Sequence, residues 1–271
     1  MTAQDLHEIA NRLRGDVLEM VVAAGAGHVA GPLSSADLFA VLYFGEVANL
    51  AKDKVVLSCG HYCPIIYSAL ARSGKLPVEE LKTFMQAESR LPGHPERGVT
   101  PGVEASTGPL GQGVSVACGM AEGLKLKHGH NYDYKSPRVY CVLSDGELQE
   151  GQVWEAFNFA VNRKLDNLIF ILDRNRVQIE HFVKEIVSSD EVARLEACGL
   201  HVLQCEGNNI AGLTKCLENA KQVQGLPVMV VMDTTGGKGV SFMENKPEWH
   251  DKVPTKDELK LALTELEVGD D

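Results

Sequence analysis

Five short runs rich in β-branched and apolar residues punctuate this sequence, at Lys54 to Ser58, Arg138 to Ser144, Asn167 to Asp173, Leu200 to Cys205 and Pro227 to Asp233. They are continuous rather than alternating, the pattern of strands buried on both faces. Helical stretches lie around them. Leu6, Ile9, Ala10, Leu13, Val17, Val21 and Ala24 keep the three-and-four spacing of one helical face, and further helices are expected near residues 34–44, 63–72, 113–128, 148–163, 209–223 and 255–266. Strand and helix in alternation predict an α/β fold, a mostly parallel sheet with helices on both faces. The Gly/Pro/Ser-containing stretch 86–112 reads as a long loop, and a loop of that length in a compact domain is usually functional.

With 271 residues and no low-complexity segment, repeat or evident linker, the chain is expected to form a single domain over residues 1–271. Its formal charge of −11 argues against nucleic acid, which calls for a basic face. An anionic ligand must then be held by local devices, such as a metal ion, helix N-termini or histidines. The seven cysteines, an odd number with no secretory leader ahead of them, read as reduced thiols in a cytoplasmic protein. Residues 20–36 lack charge but are broken by glycines and Pro32, so no membrane span is expected.

The sharpest local pattern joins two strand ends. Ser144-Asp145-Gly146-Glu147-Leu148-Gln149-Glu150-Gly151 closes one run and Asp173-Arg174-Asn175-Arg176-Val177 closes the next. In a right-handed crossover both ends share one edge of the sheet, where ligands of open α/β folds bind. Asp145 and Asn175 can offer two oxygens to one ion, a donor set that suits Mg2+, with Ca2+ or Mn2+ as stand-ins. Gly146 lets a diphosphate approach the backbone. Three other patterns carry little. Gly25 to Ala30 fits a dinucleotide-binding glycine motif but follows a helix rather than a strand. Gly236-Gly237-Lys238-Gly239 lacks the rest of a P-loop, and Cys59 and Cys63 have no second ligand pair with zinc spacing.

Taken in order, Gly27-His28 with Leu33 to Leu38, Leu57-Ser58-Cys59-Gly60-His61, Gly93-His94-Pro95-Glu96 leading to Ser106 through Gly113, the Asp145/Asn175 motif, Gly236 to Gly239 and Trp249-His250 resemble the N-terminal half of a transketolase. The likeness is strongest to the separate N-terminal subunit of a split transketolase, and it covers essentially the whole chain. It implies the thiamin diphosphate-binding fold, with the chain as the diphosphate-binding domain and the pyrimidine-binding and C-terminal domains absent. It also implies roles. Asp145, Asn175 and the carbonyl of Val177 would hold Mg2+ on the cofactor diphosphate. Gly146, Glu147, His61, His250 and the Gly108-Pro109-Leu110 segment would contact the cofactor. His28, His61, His94 and His250 would serve the reacting centre, where imidazole can both take and return protons near neutral pH. Glu150 and Glu155 match acids near the subunit interface, thought to link paired cofactors. His7, His128, His130, His181 and His201 fall outside the motifs and read as structural.

The implied activity is transfer of a two-carbon ketol unit from a ketose phosphate to an aldose phosphate. The glutamate that activates the aminopyrimidine lies, in this family, on a second domain. A C-terminal transketolase subunit is therefore expected as partner, in an α2β2 heterotetramer, with sugar phosphates as substrates and neither nucleic acid nor membrane involved. Val29, Arg174, Arg176, Glu180-His181, Asn208-Asn209 and Asp251 depart from the usual pattern and leave the sugar open. A branched or sulfonated ketose phosphate, a 2-oxo acid, and a non-catalytic regulatory role are the alternatives.

Overall fold

All five apolar runs form strands, and all five join one sheet. The computed structural model describes residues 1–129, 136–188 and 190–268, so His130 lies outside the described residues. In chain order the elements are α1 (Ala3–Ala24), α2 (Ala30–Ser34), α3 (Ala36–Phe44), β1 (Lys54–Leu57), α4 (Cys63–Arg72), α5 (Gln112–His128), β2 (Val139–Ser144), α6 (Gly151–Asn162), β3 (Leu168–Arg174), β4 (Val177–Gln178), β5 (His181–Phe182), α7 (Val183–Ile186), α8 (Glu191–Ala197), β6 (His201–Glu206), α9 (Ile210–Ala220), β7 (Val228–Asp233) and α10 (Lys256–Glu265). Helix α1 starts where expected because Thr2 and Asp5 make a reciprocal capping box, and it stops at Gly25, whose φ of 67° favours glycine. The glycine pattern at 25–30 is thus a helix end and not a strand-to-helix turn.

The five-stranded sheet runs β1-β2-β3-β7-β6 with every pairing parallel. Successive side chains point to opposite faces, and the apolar runs divide accordingly. Val55, Leu57, Tyr140, Val142, Ile169, Ile171, Val228 and Val230 enter a core shared with α1, α3, α4 and α9. Val56, Val139, Cys141, Leu143, Leu168, Phe170, Met229 and Val231 enter a second core under α5, α6 and α8. That is why these runs are apolar without interruption. Strand β6, at one edge, is the exception, exposed or half-exposed along its length, whereas β1 at the other edge is buried between the two cores.

Other expectations shift in detail. The helix expected from 34 divides at Ser35 into α2 and α3. The one expected from 148 begins as a 3-10 turn, Gly146–Gln149, before α6. The β4–β5 ribbon is too short to carry a periodic signal. The stretch 86–112 has no helix or strand before α5 begins at Gln112, and it is pinned at depth. Tyr67 donates to the carbonyl of Pro92 (2.8 Å), and Thr107 Oγ1 donates to the carbonyl of Leu57 (2.7 Å). Among the described residues no helix is long and apolar enough to cross a membrane.

Candidate active site

The parallel register brings the two strand ends together. Ser144 lies opposite Asp173 across β2 and β3, so Asp145 and Asn175 leave the sheet at the same edge. Asp145 is 5% exposed; its Oδ1 accepts from the N–H of Gly146 (2.9 Å) and its Oδ2 from the N–H of Arg176 (2.6 Å). Asn175 is also buried. Its Oδ1 accepts from the N–H of Val177 (2.9 Å), while Nδ2 donates to Tyr62 OH (2.8 Å) and Asp173 Oδ2 (2.9 Å). Between them Arg176 takes the left-handed conformation, φ 65°, which turns the chain tightly enough for Asp145 to hold it.

Burial, and after it the nearby Asp173 carboxylate, pushes the Asp145 carboxyl up to about 8. A carboxylate so placed lacks positive charge. The adjoining oxygens of Asn175 and the Val177 backbone complete a hard donor set, so the residues present fit a magnesium-type cation. Among the described residues no grouping of three or more His, Cys, Asp or Glu side chains makes another metal site. All seven cysteines are unpaired thiols, and burial raises those of Cys59 and Cys63, in keeping with packing residues.

Three histidines converge beside this oxygen set. His28 lies between α1 and α2, His61 in the 3-10 turn Gly60–Tyr62, and His250 just after the 3-10 turn Pro247–Trp249. Their ring centroids are 4.9 Å (His28–His61), 5.1 Å (His28–His250) and 5.5 Å (His61–His250) apart. The N–H of Val29 donates to the carbonyl of His250 (3.0 Å), joining two of the three loops; a proline at 29 would have no N–H to give. Desolvation, then repulsion among the rings, lowers His28 to about 4 and His61 to about 2. Desolvation lowers His250 as well. These shifts hold the rings uncharged at physiological pH, each with one nitrogen to donate and one to accept a hydrogen bond. His94 is exposed on the long loop, its ring 3.5 Å from where a Cβ on Gly108 would stand. His7, His128, His181 and His201 are exposed, as structural histidines.

The Gly108-Pro109-Leu110 segment lies directly on the His61 turn. A Cβ on Gly60 would come within 2.8 Å of the Thr107 carbonyl carbon and 2.9 Å of the Gly108 nitrogen. Glu147, expected at the cofactor, is fully buried with protein donors on both oxygens: Ser58 Oγ (2.5 Å) and the Gly111 N–H (2.7 Å) on Oε1, and the Ser144 N–H (3.3 Å) on Oε2. It braces the ends of β1 and β2 against the start of α5. Glu150 is exposed, its Cβ packed near Gly111, and Glu155 is exposed one turn further along.

The departures from the family pattern find places too. Arg174 grips Asp233 with two bonds (2.9 and 2.6 Å), Arg176 adds a third (2.5 Å), and Glu191 sits 3.3 Å from Arg174. Asn208 ties Asp37 (2.8 Å) and the Ser34 carbonyl (3.0 Å) to the N–H of Thr235 (2.9 Å), while Asn209 caps α9. A cavity of about 520 Å³, lined in part by Asp145, Gln149, Arg176, Phe182 and Lys184, opens beside the oxygen set. Residues that sequence reasoning did not assign are Ser34, Tyr62, Asp173 and Thr234, which form the buried layer under Asn175. The one available signal was a carboxylate, Asp173, closing an apolar run.

Fold and site together define an α/β cofactor-binding enzyme unit in which a buried oxygen set lies beside a cluster of uncharged histidines. Residues 6–269 match the family described as "Transketolase, thiamine diphosphate binding domain". The chain is 39% identical to an apulose-4-phosphate transketolase subunit of Actinobacillus succinogenes, over 98% of this chain and 97% of that one. It is 38% identical to a 6-deoxy-6-sulfo-D-fructose transketolase subunit of a Clostridium species, over 97% and 96% respectively. The transketolase structure from Campylobacter jejuni superposes with a TM-score of 0.91 at 36% identity, covering 99% of this chain but 43% of that one. The chain thus spans about two fifths of that full-length enzyme and essentially all of the two subunits. It belongs to the transketolase family, as an N-terminal, thiamine diphosphate-binding transferase subunit.

Proposed function

We propose that the chain is the diphosphate-binding subunit of a two-subunit, thiamin diphosphate- and Mg2+-dependent transketolase that moves a two-carbon ketol unit from a ketose phosphate to an aldose phosphate. The carrying observation is that a buried oxygen set short of positive charge and a cluster of neutral histidines share one edge of the sheet. Residues 1–271 would act as one diphosphate-binding domain, and a separate C-terminal subunit would bring the pyrimidine-binding domain, in an α2β2 assembly. Two similar proteins of nearly the same length, named as transketolase subunits, support this division.

Asp145, Asn175 and the Val177 carbonyl would hold the cation, Gly146 would allow the diphosphate close, and Gly108 to Leu110 would offer backbone. The bound cofactor supplies the chemistry of carbon–carbon cleavage and formation. His28, His61 and His250, kept neutral by burial, take protons from sugar hydroxyls and return them; His94, on the exposed loop, orients the incoming sugar. Glu150 and Glu155 face outward, as a subunit contact requires. The family assignment alone would allow an ordinary ketose phosphate, but the relatives named for apulose-4-phosphate and 6-deoxy-6-sulfo-D-fructose favour a branched or sulfonated donor.

The test is reconstitution of the full chain with its complementary subunit, using a panel of ketose phosphates, sulfo-ketoses and 2-oxo acids as donors. Ketol transfer dependent on both Mg2+ and thiamin diphosphate is expected, and Asp145→Ala should abolish it. No transfer from any sugar overturns the assignment, preference for 2-oxo acids overturns the sugar reading, and full activity of Asp145→Ala would leave the chain a non-catalytic subunit.

A further inference from the structure

Asp173 has no exposed surface, and its carboxylate is filled by four donors. Oδ1 accepts from Thr234 Oγ1 (2.5 Å); Oδ2 accepts from Ser34 Oγ (2.6 Å), Tyr62 OH (2.9 Å) and Asn175 Nδ2 (2.9 Å). The donors come from the exit of β7, from α2, from the turn after β1 and from the exit of β3 itself. One side chain therefore joins four of the connections that make the site.

The consequence lies in the amide of Asn175. Its oxygen and nitrogen ends have the same shape and differ only in what they can bond. The NH2 end faces three oxygens, Asp173 Oδ2, Tyr62 OH and, at 3.3 Å, Ser34 Oγ, and a carboxylate accepts only. Turning the amide over would set its oxygen against that carboxylate and its NH2 against the N–H of Val177, which now donates to Oδ1. Only one orientation satisfies every group, and in it the oxygen end points to the Asp145–Val177 side. The ring of Tyr62 also meets that of His61 edge-on at 4.7 Å, so the same layer reaches the histidine cluster.

The geometry points to Asp173 as a positioning residue that fixes the Asn175 amide with its oxygen presented as a cation ligand and, through Tyr62, locks that orientation to the His61 turn. This rests on Asp145, Asn175 and Val177 forming the cation seat. Outer partners of this kind typically change metal affinity about 10–100-fold when removed.

Two readouts test it in the full chain, one needing no ligand. The Asn175 side-chain NH2 resonances, identified by their loss in Asn175→Asp, should be protected from hydrogen exchange in the cofactor-free protein. Asp173→Leu should remove that protection and weaken binding of Mg2+ with thiamin diphosphate about 10–100-fold in calorimetric titration, with the complementary subunit present. Asp173→Asn should restore most of both, since its oxygen can still face Asn175 while its NH2 turns to Thr234. A folded Asp173→Leu protein that binds as the parent does, or an Asn175 amide that exchanges freely in the parent, overturns the proposal. If Asp173→Leu does not fold, Tyr62→Phe takes its place: it should move both readouts the same way by less, and no movement in either overturns the proposal. Unchanged binding by Asp145→Ala would instead defeat the cation-seat reading, a separate outcome because amide protection does not depend on it.

Discussion

Asp145→Asn should make the cofactor-free chain more stable at pH 8 and abolish its stabilisation by cofactor. Burial raises the Asp145 carboxyl from 3.8 to about 8, and one pKa unit corresponds to about 1.4 kcal/mol, so holding it ionised costs the fold about 5 kcal/mol at pH 8. At pH 5 the group is protonated in the fold and the cost shrinks to about 2 kcal/mol. Asparagine carries one acceptor oxygen where the carboxylate serves two N–H groups, those of Gly146 and Arg176. Leaving one unpaired costs about 1–3 kcal/mol. The balance favours the variant by about 2–4 kcal/mol at pH 8 and is close to zero near pH 5. The sign follows from an acid whose folded value is raised. Between about 4 and about 8 the folded state holds a proton that the unfolded state has lost, so stability falls as pH rises through that window, by at most about 1.4 kcal/mol per pH unit. Urea denaturation of both proteins at pH 5, 6, 7 and 8 isolates this, because the histidine contributions of opposite slope cancel in the difference. Adding Mg2+ and thiamin diphosphate should stabilise the parent and leave the variant unmoved. A difference that does not change with pH, or a variant less stable at pH 8 without ligand, would refute the reasoning.

The histidine cluster makes the opposite prediction on the acid side. His28 and His61 have folded values depressed to about 4 and about 2, so unfolded histidines take protons first, and their contribution, complete above pH 6.5, is lost as pH falls below it. NMR of their ring protons should show no titration between pH 8 and 6; a midpoint near 6.5 would contradict the burial account. Gly60→Ala should disrupt the Gly108 segment, because its new Cβ would meet backbone atoms at 2.8 and 2.9 Å that no side-chain rotation can clear; a parent-like melting temperature and cofactor affinity would count against that packing. Asp37→Ala should cost about 3–5 kcal/mol in denaturant unfolding, since it removes the carboxylate paired at 2.5 Å with the buried Arg14 and leaves that charge only two neutral partners, the Leu33 carbonyl and Asn11. A loss below about 1 kcal/mol would place that pair in the class of exposed ion pairs.

Much of the fold was legible because each element carries its own signal. Strands β1, β2, β3 and β7 are apolar through their interiors since both faces meet helices, and α1 begins and ends on local capping chemistry at Thr2 and Gly25. Where the signal was lost, the cause is also local: the β4–β5 ribbon spans only two residues per strand. Exposure does not divide the histidines along motif lines, since His94 within a motif is as exposed as His7, His128, His181 and His201 outside them, and the hydrogen-bond partners of Glu147 left no signal in the sequence. A carboxylate beside a metal motif reads as a ligand contact until its three buried donors are seen.

The residue order by itself determined the α/β class and the parallel sheet, because propensity and burial pattern act over short stretches of chain, and its likeness to the family named the candidate side chains. Only the tertiary structure decided what those side chains experience. Ser34, Tyr62, Asp173 and Thr234 are far apart in sequence and meet under Asn175, and the His28, His61 and His250 rings disfavour charge because three distant loops bring them together, half-buried. Desolvation and hydrogen-bond orientation depend on neighbours in space, and those neighbours exist only once the sheet has brought its strand ends to one edge.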